Sequence, residues 1–398
     1  MTGTTPIALD RIAITGLSAV TCLGRGRQAH TLAMTQGRSG LTRCDFPNVD
    51  IPCFIGRIDG IEDDPFPAGY RAFENRATRL AMAGLKADGF DDRVAEAIGR
   101  WGADRVGIVL GTATSGVERF EQVYRARGEA GPLAAEYSLR HHSDHHAITS
   151  FLIDYLGLGG PGYTISTACS SSAKAIVDGA QLIRMGICDA VLTGGVDSLC
   201  MTSLYGFDAL ELVSKAPCRP LDAARDGVSI GEGAGFVLLE RDRAGARLAG
   251  YGETSDAVSM STPPADGTGA AAAMRRALRC AGLAPDQIGF IKLHGTATQS
   301  NDAAESTAVA QVFGLSVPAA SLKGLVGHTL GAAGAVEAVI GLYAMQAGIA
   351  PGTTGLETTD REIRIKVQKR TGPQTYSHLL CNAFGFGGSN SALILGQA

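Results

Sequence analysis

The chain has 398 residues, of which 45% are hydrophobic and 19% charged, with a formal net charge of −4. That length fits two or three ordinary domains or one large two-part fold, and the low charged fraction places much of the chain in an interior. The charge balance argues against a general binder of nucleic acid or anionic membranes, and no apolar run reaches the roughly 18 residues a membrane span needs.

Met1 to Asp10 contains no basic stretch leading into an apolar one, so no signal peptide is predicted. The nine cysteines are scattered, with no C-x-x-C pair, a usage that fits free thiols in a reducing cytosol and no zinc site. A cytoplasmic protein is expected.

Short apolar runs alternate with helical stretches, the pattern of an α/β protein. Strands are predicted at Ile12–Thr15, Val106–Leu110, Tyr163–Ser166, Ala190–Thr193, Phe236–Glu240, Phe290–Leu293 and Ala392–Leu395. No charged or Pro/Ser-rich linker divides them, so any subdivision lies within a continuous fold. Two helices differ usefully. Over Ser171–Met185, Ala173, Ile176, Val177, Ala180 and Ile183 share one face, with Lys174, Asp178 and Gln181 largely opposite. Over Ala332–Ala347 almost every position is apolar apart from Glu337 and Gln346, which predicts a helix buried on all sides between sheet layers.

The sequence also hints at duplication. Val106–Thr114 and Phe290–Thr298 each run from an apolar strand into G-T-A-T. Each is followed by a strand, a small-residue turn and a helix (Tyr163–Met185, Ala319–Met345), then by a third strand-like unit (Ala190–Gly195, His378–Gly388). Three matching units in one order predict two related halves, 1–245 and 246–398.

Cys169, in Thr167-Ala-Cys-Ser-Ser-Ser172, sits where a strand turns into a helix. Main-chain N–H groups there favour negative charge, so the thiol is expected to fall below its usual pKa of about 8.5, and the same N–H groups can hold an oxyanion. His294 ends an apolar strand, and His328 precedes the buried helix. If the halves are related, the turns bearing Cys169 and His328 are equivalent and face each other, making one thiol and two imidazoles a candidate acyl-transfer site. The glycines of Asn382–Asn390 allow close backbone approach, but a strand follows them, so they are not a dinucleotide loop; Gly231–Gly235 is rejected for the same reason. His141–His146 offers histidines one helical turn apart, but with no supporting cysteine it reads as a solvated face, and no metal is expected.

The motifs T-A-C-S-S-S (167–172), H-G-T-A-T-x-x-N-D-x-x-E (294–305), K-x-x-x-G-H-x-x-G-A-A-G (323–334) and F-G-F-G-G-S-N (384–390), in this order, resemble the elongating β-ketoacyl-acyl carrier protein synthases of the thiolase superfamily. The resemblance spans Ile12 to Leu395 and implies a five-layered αβαβα fold of two pseudo-duplicated halves. It implies a decarboxylative Claisen condensation of malonyl-carrier protein with an acyl chain held on Cys169, with no redox cofactor, because loss of CO₂ supplies the carbanion. His294 and His328 would donate to the thioester oxygen as neutral imidazoles, and the N–H groups of Cys169 and Phe386 would form a second oxyanion hole.

By the same resemblance Lys323 is the family's active-site lysine, expected to pair with Glu305. Thr296 and Thr298 would line the phosphopantetheine tunnel, Phe386 would gate the acyl pocket with Phe207 as its partner, and Arg219–Asp222 with Arg225–Gly227 would be structural. Arg71, Arg76 and Arg79, at helical spacing, are candidates for docking an acidic carrier protein. A dimer is implied, either of identical chains or with a cysteine-less, chain-length-factor-like paralogue.

Two positions depart from the family pattern: Gly324, where serine is common, and the His141–His146 run, where apolar residues are usual. Gly194–Cys200, Leu204–Asp208 and Gly327–Gly331 look most like ketosynthases of aryl-polyene-type pathways, so a polyenoyl as well as a fatty acyl substrate is expected. Competing readings are a non-catalytic chain-length partner, a CoA-dependent thiolase using Cys381 as second cysteine, and a cysteine hydrolase.

Overall fold

The computed structural model describes residues 7–128 and 131–397. Its principal strands are β1 (Ile12–Thr21), β2 (Val106–Gly111), β3 (Gly162–Ile165), β4 (Ala190–Asp197), β5 (Gly233–Arg241), β6 (Ala246–Ser255), β7 (Phe290–Lys292), β8 (Ala319–Ala320), β9 (His378–Gly385) and β10 (Ser389–Gly396). The helices that frame them are α1 (Arg76–Lys86), α2 (Phe90–Trp101), α3 (Ala147–Leu156), α4 (Ser171–Arg184), α5 (Thr268–Ala281), α6 (Gln299–Phe313) and α7 (Ala333–Gln346).

The strand order is β8-β7-β9-β10-β6-β1-β5-β4-β2-β3. Counted within each half, this is the same third-second-fourth-fifth-first arrangement twice. The pairing senses also repeat: β2 lies parallel to β3 and β4, as β7 does to β8 and β9, and the remaining pairs are antiparallel. The two sets meet only through Ala13–Arg247 and Ile14–Ala246, between β1 and β6. This is the duplicated α/β, thiolase-like architecture that the repeated motifs predict.

Alternation along the strands explains the layers. In β5, Phe236 and Leu238 face an outer core with Leu80, Leu85, Phe90 and Phe151 of α1–α3, whereas Val237 and Leu239 face a central core with α4 and α7. In β10, Ala392 and Ile394 face Met274, Leu278 and Val309 of α5 and α6, and Leu393 and Leu395 turn to the same central core. A strand buried on both faces must be apolar throughout, which is why these runs show no polar alternation. Each fully buried leucine or isoleucine contributes about 1.5–3 kcal/mol over its exposed state.

As its composition requires, α7 is buried from Ala333 to Met345, Glu337 included. In α4 only Lys174, Asp178, Gln181 and Arg184 escape full burial. One principal strand was not predicted. β6 is a full strand, but its sequence, ARLAGYGETS, has small residues where large apolar ones would mark an edge-to-core alternation. Gly250 and Gly252 stand where a Cβ would lie 2.5 Å and 2.1 Å from carbonyl oxygens of α5, so the helix rests directly on the strand.

Candidate active site

Cys169 lies in the turn between β3 and α4. The residue before it, Ala168, has φ 51°, a left-handed conformation that costs an alanine roughly 1–2 kcal/mol. Ser171 braces the turn: its Oγ donates to the Ala168 carbonyl at 2.6 Å and accepts from Thr167 N–H at 2.8 Å. In the other half Gly327 precedes His328 with φ 74° and ψ −177°, a different positive-φ conformation that glycine adopts without a Cβ penalty.

The two turns meet. His328 Nε2 is 3.0 Å from Cys169 Sγ, and the His294 and His328 rings lie edge to face with centroids 5.3 Å apart. All three residues are buried. Lys323 donates toward His294 Nδ1 at 3.4 Å and also to the His294 carbonyl. Because an ammonium has no lone pair to offer, His294 must accept at Nδ1 and carry its proton on Nε2, facing the cavity.

Burial dominates the electrostatics. It pushes the Cys169 thiol up to about 11, although Lys323 and the main-chain N–H groups of Phe386 and Cys169 pull the other way. The expected fall of this thiol is therefore overturned: a helix N-terminus is worth less here than full desolvation of the thiolate. Both histidines are held well below their usual range, first by burial and then by the cationic Lys323, so they are neutral imidazoles.

Lys323 does not pair with Glu305. Its ammonium bonds Glu337 Oε1 at 2.7 Å, and Glu337 Oε2 takes Lys292 at the same distance. Glu305 instead accepts from His294 N–H and Gly295 N–H, both at 2.8 Å, and from Asn382 Nδ2 at 2.9 Å. The pairing fails because Glu305 is committed to fixing the main chain of the His294 turn. Lys292, Glu337 and Asn382 were not singled out as site residues. The available signal was a lone lysine inside an apolar strand and a lone acid inside an apolar helix, since such groups need a partner when buried.

A cavity leads to the sulfur, lined by Cys169, His294, His328, Thr296, Thr298, Phe207 and Phe386 among others. The Thr296 and Thr298 hydroxyls lie 2.8 Å apart, and Phe207 stacks on Phe386 at 5.5 Å and 24°. At Gly385 a Cβ would sit 2.7 Å from the Thr167 carbonyl, so only glycine lets the Phe386 loop reach the cysteine turn. Gly324 is likewise enforced: a Cβ there would lie 2.0 Å from the Thr354 carbonyl, leaving no room for serine.

The three arginines do not form one exposed surface. Arg76 is buried, its guanidinium holding Glu232 at 2.8 Å through Nε and donating to the Ile58 carbonyl. Arg79 is engaged by Glu74 and by the Asp64 carbonyl, and only Arg71 is largely exposed. None of the three lines the cavity. Helical spacing alone could not reveal that Arg76 faces inward onto an acid 156 positions away.

Arg225, read as structural, is buried between Asp302 and Asp360, and Asp222 accepts N–H groups from Ala224, Glu357 and Thr358. His141, His142, His145 and His146 do not converge: His142 accepts from Ser138 N–H, while His145 and His146 reach Ala113 and Thr164 separately. Cys381 is buried in β9 and does not line the cavity, so it cannot serve as a thiolase's second cysteine. The ligand atoms of Cys169, His294 and His328 lie within 4.8 Å of one another, but a cation there would face the Lys323 ammonium behind His294.

Residues 72–244 match the model of the β-ketoacyl synthase N-terminal domain and residues 245–357 that of the C-terminal domain. The chain belongs to the β-ketoacyl synthase family. It is 30% identical over 411 residues to 3-oxoacyl-[acyl-carrier-protein] synthase 2 of Vibrio harveyi, covering 96% of this chain and 98% of that protein. With the same enzyme of Rhizobium meliloti it shares 32% over 443 residues, covering 97% and 99%. Among solved structures, a ketosynthase of Xenorhabdus doucetiae in complex with its chain length factor superposes with a TM-score of 0.89 at 35% identity, covering 97% and 98%. The ketosynthase is thus an acyltransferase of the 3-oxoacyl-acyl carrier protein synthase class. Among its described residues no helix is long and apolar enough to cross a membrane.

Proposed function

We propose that Cys169 is the acyl-carrying nucleophile and that His294 and His328 are the neutral donors that stabilise the enolate. The observation that carries this reading is the convergence of one thiol and two neutral imidazoles on a single cavity.

In the first half-reaction Cys169 sulfur attacks the carbonyl of an acyl-carrier thioester. The oxyanion forms against the N–H groups of Cys169 and Phe386, which already act on the sulfur. The carrier thiol leaves with the cysteine's proton, while His328 holds its Nε2–H beside the sulfur. In the second, the carboxylate of malonyl-carrier protein departs as CO₂. The electron pair moves into an enolate whose oxygen accepts from the Nε2–H groups of His294 and His328. Its carbon attacks the Cys169 thioester, giving 3-oxoacyl-carrier protein and a thiolate that takes up a proton. No redox cofactor enters, since decarboxylation supplies the carbanion, and no metal is needed. Lys323 fixes the His294 tautomer, and Glu305 fixes its main chain.

Thr296 and Thr298 present hydroxyls to the phosphopantetheine amides in the tunnel, and the Phe207–Phe386 stack separates tunnel from acyl pocket. The carrier is an acyl carrier protein delivering fatty or polyenoyl chains, as in type II polyketide, aryl polyene or fatty acid synthesis. The likeness to a ketosynthase solved with its chain length factor supports a dimer with a second thiolase-fold chain, identical or paralogous. Strand β3, an edge strand half-buried along its length, is the natural seam for it. The repeated strand order supports the division at 245/246, and nine free cysteines fit a cytoplasmic enzyme.

The direct test separates the half-reactions. C169A should abolish acyl transfer while malonyl decarboxylation persists; condensation retained in C169A would remove the nucleophile assignment.

A further inference from the structure

Behind His294 lies an arrangement that packing does not call for. Lys292 is the last residue of β7 and is 1% exposed; its ammonium donates to Glu337 Oε2 at 2.7 Å and to the Asn382 carbonyl. Glu337 Oε1 holds Lys323 at 2.7 Å. Lys323 with Glu337 would be a neutral buried pair by itself. Adding Lys292 puts two cations on one carboxylate, with Glu305 the next acid that Lys292 acts on through space, and burying this second cation costs desolvation that an apolar residue would avoid. Such a group is retained where its charge is used.

We propose that Lys292 is a positioning residue of the condensation reaction, the second cation of a Lys292–Glu337–Lys323 bridge that aims Lys323 at His294 and sets the positive field behind both histidines. Geometry gives it two effects. By holding one oxygen of Glu337, Lys292 fixes the other, and so fixes the Lys323 ammonium against His294 Nδ1. Its charge also disfavours protonation of His294 and His328, adding to Lys323 and burial, and favours the negative charge that develops on an enolate beside them.

The charged and titratable groups facing the two rings come from every neighbouring element: Cys169 before α4, Asp197 at the end of β4, Lys292 on β7, Glu305 on α6, and Lys323 and Glu337 around α7. Glu305 is committed to three N–H donors, and Asp197 to the hydroxyls of Thr112 and Thr114 and the N–H groups of Ala113, Thr114 and Ala332. Those donors carry no charge, so they orient the two carboxylates without offsetting them; the groups joined by ion pairs are Lys292, Glu337 and Lys323.

The inference rests on the reading of His294 and His328 as neutral donors, and the test keeps the two apart. The pH dependence of malonyl decarboxylation is measured for the full-length ketosynthase with malonyl-carrier protein. Removing a cation raises the histidine pKa, so K292M should move the acid limb up by about one pH unit, as expected for one charge lost from a partly screened interior. kcat should fall and KM for malonyl-carrier protein should hold. E337Q removes the anion instead and should move the limb the opposite way. Limbs that stay put, or that shift together with a simple loss of melting temperature, overturn the proposal. Should K292M not fold, K292M/E337Q replaces it. Its limb must lie above that of E337Q, and an equal limb overturns the proposal. H294A is the separate control: decarboxylation surviving in H294A would sink the donor reading itself, whatever Lys292 does.

Discussion

His328 Nε2 stands 3.0 Å from Cys169 Sγ although 159 positions separate them in the chain. The contact exists because two copies of one strand-turn-helix unit face each other, each with a positive-φ residue before its functional one: Ala168 in one half and Gly327 in the other. A site assembled this way depends on the packing of α4 against α7. At Gly334 a Cβ would meet Ala173 N at 2.7 Å, so that closeness is written into the sequence.

The two histidines differ in what they touch, which separates their mutants. His328 faces the sulfur, whereas His294 is held by Lys323 and does not contact it. H328A should depress both half-reactions, decarboxylation more than acylation. H294A should depress decarboxylation by about 10²–10³-fold, the usual loss for one oxyanion donor, and leave acylation largely intact. Single-turnover assays with acyl- and malonyl-carrier protein resolve the two, and equal losses in both steps for H294A would contradict the assignment.

With its thiol near 11, Cys169 is not a standing thiolate at neutral pH. Its alkylation by iodoacetamide should climb about tenfold per pH unit from about pH 7 to 10, because the thiolate is the reactive form. Peptide mapping separates Cys169 from the exposed Cys280. A rate already level at about pH 7 would mean that a thiolate–imidazolium pair exists at rest.

The neutral histidines predict the low-pH behaviour. An unperturbed imidazole protonates near 6.5, and both site histidines are shifted well below that. Malonyl decarboxylation should therefore persist as pH falls through 6.5 and fail only once the depressed folded-state values are reached. An acid limb centred at about 6.5 would show that the histidines are not held neutral.

Arg76 now predicts stability, not carrier affinity. Removing one partner of a buried ion pair costs about 3–5 kcal/mol, so R76A should lower the melting temperature markedly while KM for carrier protein changes little. A large rise in KM with unchanged stability would restore the docking role that its spacing suggested.

Much of the fold was legible because α/β layering writes itself in hydrophobic patterns: β2, β4, β5 and β10 are apolar runs, and α7 is apolar all round. Glycine-poor motifs would not have exposed the duplication, but G-T-A-T after two strands did. β6 was missed because its contacts are made through small residues, which carry no periodic signal. In the site, Cys169, His294 and His328 stood out through their turns, whereas the partners of charged groups did not. Lys323 meets Glu337, not Glu305, and Arg76 meets Glu232, because a buried charge is paired by tertiary packing that local spacing does not encode. The pKa of Cys169 was misjudged for a related reason, since depth of burial is a property of the fold and not of the turn.

The most direct test of the account is intact-mass spectrometry, with peptide mapping, of the ketosynthase mixed with a panel of acyl- and polyenoyl-carrier proteins, alone and with a chain length factor. The account predicts one acyl adduct, on Cys169, absent from C169A and released as 3-oxoacyl-carrier protein when malonyl-carrier protein is added. An adduct on another residue, or none from any donor even with the partner present, would contradict it.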